Sequence, residues 1–209
     1  MIIHGGWHTG ELFNDTAKVI CESGHDVFLP TLAGNAPGDR KDVGLAEAID
    51  SAVAYINRED LNDFVLAGHS YGGMIITGVA DRLPSRVRRL VYWNAFVPNK
   101  GESVDDMVPA HYVELFNQLE QEDGSVSLPF AIWREAFIND ASLELAEAAF
   151  NKLNPHTYKT LTDKITLKTN PADRSIPKSY VNSTEDAALP QSLGWHLRLS
   201  VKLGVFRLV

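Results

Sequence analysis

Short apolar runs alternate along most of this chain with segments in which apolar residues recur at helical spacing. Runs typical of strands lie at 1–3, 25–30, 63–67, 88–96, 178–183 and 204–209. Between them, residues such as Leu45, Ile49, Val53 and Ile56 repeat every three or four positions, which places them on one helix face. Alternating strands and helices favour a parallel sheet covered on both faces. We therefore predict an α/β fold, a three-layer αβα sandwich, in a single domain over residues 1–209.

The alternation stops between residues 97 and 177. Short helices are predicted within 113–119, 133–138 and 143–153, with proline-containing loops around them. Because this stretch lies between two predicted strands, we expect it to be a helical cap inserted over the edge of a mostly parallel sheet. Its aromatic residues either line an apolar pocket or pack the cap onto the body of the domain.

An apolar strand at 65–67 runs into Gly68-His69-Ser70-Tyr71-Gly72 and continues as an apolar helix. A Gly-x-Ser-x-Gly turn between a strand and a helix holds its serine in a strained conformation, with the hydroxyl exposed at the end of the sheet. Ser70 is therefore the candidate nucleophile. The alternative is a glycine-rich turn with a purely structural serine.

Two other segments follow predicted strands, at the edge where parallel sheets gather catalytic groups. The loop 4–10 is rich in glycine, which lets backbone N–H groups approach a ligand closely, and it is a candidate oxyanion loop. The segment 184–190 carries two carboxylates, Glu185 and Asp186. Either is a candidate catalytic acid, although Asp186 could instead be a turn residue that caps the next helix.

The formal net charge of -8 argues against nucleic acid as a partner, because phosphate binding requires clustered Lys and Arg. The single cysteine, Cys21, excludes a disulfide within the chain and is predicted to be a buried, unreactive thiol. No apolar run approaches the roughly 20 residues of a membrane helix, and no signal peptide is evident. These features predict a soluble cytoplasmic protein with no membrane partner.

The order of oxyanion loop, serine turn and late acid resembles the α/β-hydrolase superfamily over essentially the whole chain. The motifs that carry this resemblance are His4-Gly5-Gly6 and the segments 68–73, 95–103 and 184–190. Within the superfamily they are similar to the small single-cap esterases. That group is related to plant methyl esterases, hydroxynitrile lyases and bacterial pyrethroid-type esterases.

The resemblance implies that Ser70 is the nucleophile and that the N–H groups of Gly6 and Tyr71 form the oxyanion hole. It implies that Asp186 is the acid in preference to Glu185, because Asp186 fits the Asp-x-x-Leu-Pro spacing of these relatives. No metal and no cofactor are implied. Asn94 stands where relatives frequently carry aspartate. The residues expected to contact substrate are Gly5, Trp7, His69, Asn94, His111 and Trp133.

The resemblance also places the catalytic histidine in a loop after the last strand, which would lie beyond Val209. We therefore expect a hydrolase truncated at its C-terminus, with low activity in this 209-residue chain. Among the histidines present, His4 is expected to brace the oxyanion loop and His69 to point away from the substrate. His8 and His196 are weak substitutes for the base, and His196 is expected on a helix that faces away from the site. His25, His111 and His156 are expected on the surface or in the cap.

Together these features predict a serine hydrolase that acts on small carboxylic esters through an acyl-enzyme intermediate, as a monomer or homodimer. The same fold also supports hydroxynitrile lyases and cofactor-free dioxygenases, because fold alone does not determine chemistry. A third alternative is a histidine-less protein that binds a small apolar ligand without turning it over.

Overall fold

The computed structural model describes residues 1–209 and confirms the α/β fold. Its main sheet has five parallel strands whose spatial order follows the chain. In the sequence, an antiparallel pair that forms a separate two-stranded sheet comes between the third and fourth of these strands. In chain order the strands are β1 (Ile2–Ile3), β2 (Phe64–His69), β3 (Val87–Trp93), the antiparallel pair β4 (Ser125–Val126) and β5 (His156–Thr157), β6 (Lys178–Val181) and β7 (Arg207–Leu208).

Eight α-helices connect and cover the strands. They are α1 (Asn14–Glu22), α2 (Leu45–Arg58), α3 (Gly72–Arg82), α4 (Ala110–Leu119), α5 (Phe130–Ile132), α6 (Leu143–Phe150), α7 (Lys159–Thr162) and α8 (Trp195–Ser200). A π-helical turn, Trp133–Phe137, continues α5, and short 3-10 turns flank α8. No helix combines the length and the apolar character that a membrane crossing requires.

The core lies around α3, which packs against β1, β2 and β3 and against α2. Every residue from Gly72 to Ala80 is buried, so this helix forms the centre of its layer. The helical spacing in α2 is confirmed, because Leu45, Ile49 and Ile56 are all buried there. Between β3 and β6 the chain forms α4 to α7 together with β4 and β5.

Two local predictions are wrong. Residues 25–30 do not form a strand, since only one backbone hydrogen bond, from Ile2 N–H to Phe28 O (2.9 Å), joins them to β1. The two residues of β1 are too few to template a longer ladder. Cys21 is exposed rather than buried, because α1 buries only Ala17 and its last turn projects from the body of the protein.

Candidate active site

The turn between β2 and α3 holds Ser70 in the left-handed region of backbone conformation, with φ of 52°. The Ser70 carbonyl oxygen accepts hydrogen bonds from the N–H groups of Gly73 (3.0 Å) and Phe96 (3.1 Å). The Ser70 N–H donates to Trp93 O (3.2 Å). Left-handed backbone is costly for a residue with a side chain and persists only where its surroundings impose it. Here the end of β3 and the start of α3 impose it together.

Close backbone packing around this turn requires glycine at position 73. A Cβ atom added to Gly73 would lie 2.0 Å from the carbonyl oxygen of Phe96. A backbone oxygen cannot move aside as a flexible side chain can. The glycine therefore allows α3 to start directly against the chain that leaves β3.

We expect Gly73→Ala to lower the free energy of unfolding by about 3 kcal/mol or more, because the added methyl group overpacks a fully buried backbone contact. Gly78→Ala on the same helix is the matched control. Its added Cβ would meet only side-chain atoms, Ile49 Cδ1 at 2.5 Å and the Ile49 γ carbons at 3.0 and 3.1 Å, and alanine favours helix by about 1 kcal/mol, so we expect a smaller loss. Urea unfolding followed by circular dichroism measures both variants. Equal losses in the two variants would contradict the backbone clash.

Two backbone N–H groups near Ser70, one in the loop between β1 and α1 and one in the serine turn itself, donate to no other atom of the chain. They belong to Gly6 and Tyr71, and both residues line the same cavity as Ser70. Trp7 fixes this loop from the other side: its indole N–H donates to Val126 O (2.8 Å), and its carbonyl accepts from Asn154 N–H (2.8 Å). Two free donors held beside a serine can stabilise a developing oxyanion.

Ser70 opens into a cavity of about 640 Å³ between the sheet and the segment that follows β3. Its walls are mainly aromatic and aliphatic, with polar groups concentrated near Ser70 and near the loop after β6. The aromatic residues on its walls are Trp7, Tyr71, Phe96, Tyr112, Phe116, Trp133 and Phe137. A cavity of this size and composition suits a small, largely apolar ligand.

Four of the six residues expected to contact substrate line this cavity: Trp7, His69, Asn94 and Trp133. Gly5 does not, because it lies behind the ring of His69, with a Cβ position only 3.1 Å from His69 Nδ1. His111 is also outside the cavity.

The ring of His111 lies on the exposed side of α4, next to that of Tyr112 (4.7 Å between centroids). Tyr112, one of the aromatic residues of segment 97–177 that were expected either to line a pocket or to pack the cap onto the body, lines the cavity. Its hydroxyl donates to Ala188 O (2.8 Å), so α4 is attached to the loop that carries the acid. His69, expected to point away from the substrate side, is among the residues that line the cavity, and its Nδ1 is buried without a hydrogen-bond partner.

Asp186 is the better held of the two candidate acids. Its Oδ1 accepts from the N–H groups of Ala188 (2.9 Å) and Leu189 (3.1 Å), and its Oδ2 accepts from Asn94 Nδ2 (2.9 Å). Burial raises the pKa of Asp186, but hydrogen bonds from His196 and from these backbone groups outweigh burial and hold the pKa below its ordinary value. Glu185 lines the cavity from an exposed position.

The expectation that His196 faces away from the site is wrong. Its Nε2 lies 3.1 Å from Asp186 Oδ2, and the imidazole is only 1% exposed. The predicted helix from 191 to 202 is interrupted at Gly194, which has φ of 60°. This left-handed residue redirects α8, so the side chain at 196 turns back toward the carboxylate. Sequence spacing alone gives no sign of this change of direction.

The other buried histidines use their ring nitrogens for structural contacts. His4 braces the oxyanion loop as predicted, with Nδ1 at 2.8 Å from Gly5 O and Nε2 accepting from Leu32 N–H. His156 lies within segment 97–177, one of the two places expected for it, and is fully buried there, where Asn35 and Thr160 contact both of its ring nitrogens. Burial lowers the pKa of His4 to about 4 and that of His156 to about 3. Burial also lowers the pKa of His8, whose Nδ1 lies 2.6 Å from Gly6 O.

This strand, serine turn and helix, with a glycine loop before them and an acid after β6, match a family pattern. The model of the Alpha/beta hydrolase family matches residues 1–206. The chain belongs to the alpha/beta hydrolase family. The hydrolase family therefore accounts for the fold and for the position of the cavity at the carboxyl end of the sheet.

The chain is similar to esterases, to other hydrolases and to an alpha-hydroxynitrile lyase of Arabidopsis thaliana. The carbendazim hydrolyzing esterase of Nocardioides sp. (strain SG-4G) is 43% identical over 112 residues, which span 52% of this chain and 46% of that protein. The pyrethroid hydrolase of Sphingobium wenxiniae is 24% identical over 203 residues, or 91% of this chain and 71% of that protein. An extracellular alpha/beta-hydrolase from a Paenibacillus species superposes with a TM-score of 0.94 at 38% identity, covering 100% of this chain and 87% of that one. The first similarity spans about half of the relative's length.

Proposed function

We propose that this alpha/beta hydrolase is a serine hydrolase of small carboxylic esters that works through an acyl-enzyme intermediate. The observation that carries the proposal is the position of Ser70, strained at the head of α3 in an aromatic cavity beside two free backbone N–H groups. That geometry suits attack on a carbonyl carbon better than it suits a structural serine. The carbendazim hydrolyzing esterase among the relatives supports ester-type chemistry.

In the proposed reaction, Ser70 Oγ forms a bond to the ester carbonyl carbon and gives its proton to a base. The N–H groups of Gly6 and Tyr71 donate to the oxyanion, and loss of one such donor typically costs about 3 kcal/mol in the barrier. The alcohol then leaves with a proton, and the acyl group stays on Ser70. Water hydrolyses this ester, releases the carboxylic acid and regenerates the serine.

The base of this proposal is an imidazole oriented by Asp186, whose carboxylate stabilises the charged ring. Within residues 1–209, the rings of His4, His8, His156 and His196 make their hydrogen bonds to groups other than the Ser70 hydroxyl. We therefore propose that the 209-residue chain acylates faster than it turns over, and that a supplied base raises its turnover.

Mass spectrometry after incubation with a chromogenic short-chain ester tests the proposal. We expect one acyl group per chain on the peptide that contains Ser70, and none in Ser70→Ala. Ser183→Ala is the matched control, because Ser183 lines the same cavity, and we expect it to be acylated as the wild type is. An acyl group at Ser183, or none in the wild type, would contradict the proposed nucleophile.

The rival functions predict different results with the same protein. A hydroxynitrile lyase would release cyanide from a cyanohydrin without acylation, and a cofactor-free dioxygenase would consume oxygen. A non-catalytic binder would quench the fluorescence of the cavity residue Trp133 on adding an apolar acid, equally in wild type and Ser70→Ala. Any of these outcomes without an acyl adduct would replace the esterase proposal.

A further inference from the structure

We propose that His196, held by Tyr180, is a positioning residue that fixes the orientation of Asp186. The catalytic role of Asp186 in this inference rests on the proposed function. The contact between His196 and Asp186 rests on geometry alone. His196 lies behind the acid: Asp186 lines the cavity, whereas His196 is buried and does not. The imidazole therefore acts through the carboxylate and cannot touch a substrate.

Four donors hold the carboxylate of Asp186, two on each oxygen. The backbone N–H groups of Ala188 and Leu189 bind Oδ1, while Asn94 Nδ2 and His196 Nε2 bind Oδ2. The backbone pair belongs to the same short loop as Asp186, so it moves with that loop. Asn94 and His196 come from elsewhere in the fold and are the groups that tie the carboxylate to the body of the domain.

The proton arrangement on His196 follows from its two partners. Asp186 as a carboxylate only accepts, so Nε2 must carry a hydrogen. The Tyr180 hydroxyl lies 2.9 Å from Nδ1 and 3.2 Å from Ala95 O, and we place its single hydrogen on the shorter contact, so that Nδ1 accepts. Tyr180 is fully buried on β6, and burial raises the pKa of its phenol, which keeps that donor protonated. Tyr180 thus selects the tautomer that presents N–H to Asp186.

The ring also has little freedom to leave this position. It is 1% exposed and sits on the first turn of α8, directly after the left-handed Gly194. Tyr180 is in register with Tyr92 of the neighbouring strand, at the centre of the sheet. A buried ring on α8 that is bonded through Nδ1 to a strand residue transmits the position of the sheet to the carboxylate bonded at Nε2. Asn94 contributes from the end of β3, where its Oδ1 also accepts from Ser183 N–H (2.7 Å).

The kinetic test compares His196→Phe with His196→Gln, because the glutamine amide can place a donor near the position of Nε2. With imidazole supplied as the base that Asp186 orients, we expect His196→Phe to lower the rate constant of Ser70 acylation about 10- to 100-fold, the usual effect of misplacing a catalytic group by about 1 Å. The ester concentration at half-saturation should stay within about threefold, since substrate contacts are unchanged. His196→Gln should recover most of the rate.

Tyr92→Phe is the matched control for Tyr180→Phe. Both remove a fully buried phenol hydroxyl from paired positions of adjacent strands, but the Tyr92 hydroxyl binds Thr77 Oγ1 (2.8 Å) and not the network around Asp186. We expect Tyr180→Phe to slow acylation and Tyr92→Phe to leave it unchanged, at matched melting temperatures. Equal rates in His196→Phe and the wild type would overturn the proposal.

A second measurement is independent of hydrolysis. In the ¹⁵N-histidine NMR spectrum we expect His196 as the Nε2–H tautomer, with an Nδ1 resonance that shifts in Tyr180→Phe and an Nε2–H resonance that shifts in Asp186→Asn. Ser70→Ala should leave both unchanged. If no acylation occurs, the proposed function fails, but these spectra still decide whether His196 holds Asp186. A proton on Nδ1 alone would contradict the assignment.

Discussion

Ser70→Ala is expected to reduce ester hydrolysis by the chain, assayed with added imidazole, to the rate of imidazole alone. Removal of the nucleophile costs about 10⁶ in turnover in a complete triad. Here the loss of turnover is smaller, because free imidazole replaces an oriented ring less effectively, and we expect the rate to fall about 10³-fold or more. The physical reason is that no other hydroxyl of the cavity combines a strained left-handed backbone with the two free N–H groups of Gly6 and Tyr71.

Imidazole separates the role of the serine from that of the base. In the wild type the rate should rise with imidazole concentration, measured by release of a chromogenic alcohol. In Ser183→Ala it should rise equally, because that serine has no part in the proposed reaction. A Ser70→Ala protein that responds to imidazole as the wild type does would show that the catalysis comes from solution and not from this site.

Acid is expected to unfold the protein well above the pH at which its carboxylates titrate. His4 and His156 are fully buried, and burial lowers the pKa of His4 to about 4 and that of His156 to about 3. In the unfolded chain both rings have a pKa near 6.5. Between about pH 6 and 4, the unfolded state therefore binds more protons than the folded state, and the free energy of unfolding falls as the pH falls. Burial also lowers the pKa of His69 to about 4, so the three rings together contribute a slope of about 4 kcal/mol per pH unit.

Urea titrations at several pH values between 7 and 4 would measure this slope. His156→Gln should reduce the slope by about a third, whatever its effect on stability at neutral pH, because one of the three rings with a lowered pKa is gone. His25→Gln is the control, since His25 is exposed at the end of the first helical segment. An equal slope in the wild type, His156→Gln and His25→Gln would mean that buried histidines do not govern the loss of stability below pH 7.

The serine turn and the fold could be predicted because their signals are local. Gly68, Ser70 and Gly72 stand between an apolar strand and an apolar helix, and each of these segments shows its own periodicity. The parallel sheet follows from the alternation of such segments. The expected carboxylate, Asp186, also turns out to be the one that the fold holds by four hydrogen bonds.

The partners of the candidate site could not be predicted in the same way. His196 reaches Asp186 because Gly194 adopts a left-handed backbone conformation. The presence of a glycine in the sequence does not predict the direction that the chain takes after it. His156 is buried because it meets Asn35, 121 residues earlier in the chain. Contacts of this kind depend on how segments distant in the sequence pack together, so the spacing of residues within one segment cannot predict them. The prediction that Cys21 is buried failed for the same reason. Helical spacing shows which residues share a helix face, but it does not show whether another segment covers that face.

The two hydrogen bonds that the Ser70 carbonyl oxygen accepts limit where this chain can be joined to segments of its relatives in a chimera. One of its two donors, Phe96 N–H, lies just before the helical segment that forms the upper wall of the cavity. A chimera that joins a relative's sequence at residue 94 or 95 would make the position of this N–H group, and so its bond to Ser70 O, depend on the relative's backbone. Crossovers placed after Pro98 and before Lys178 would change which molecules fit and leave the serine turn with its native supports.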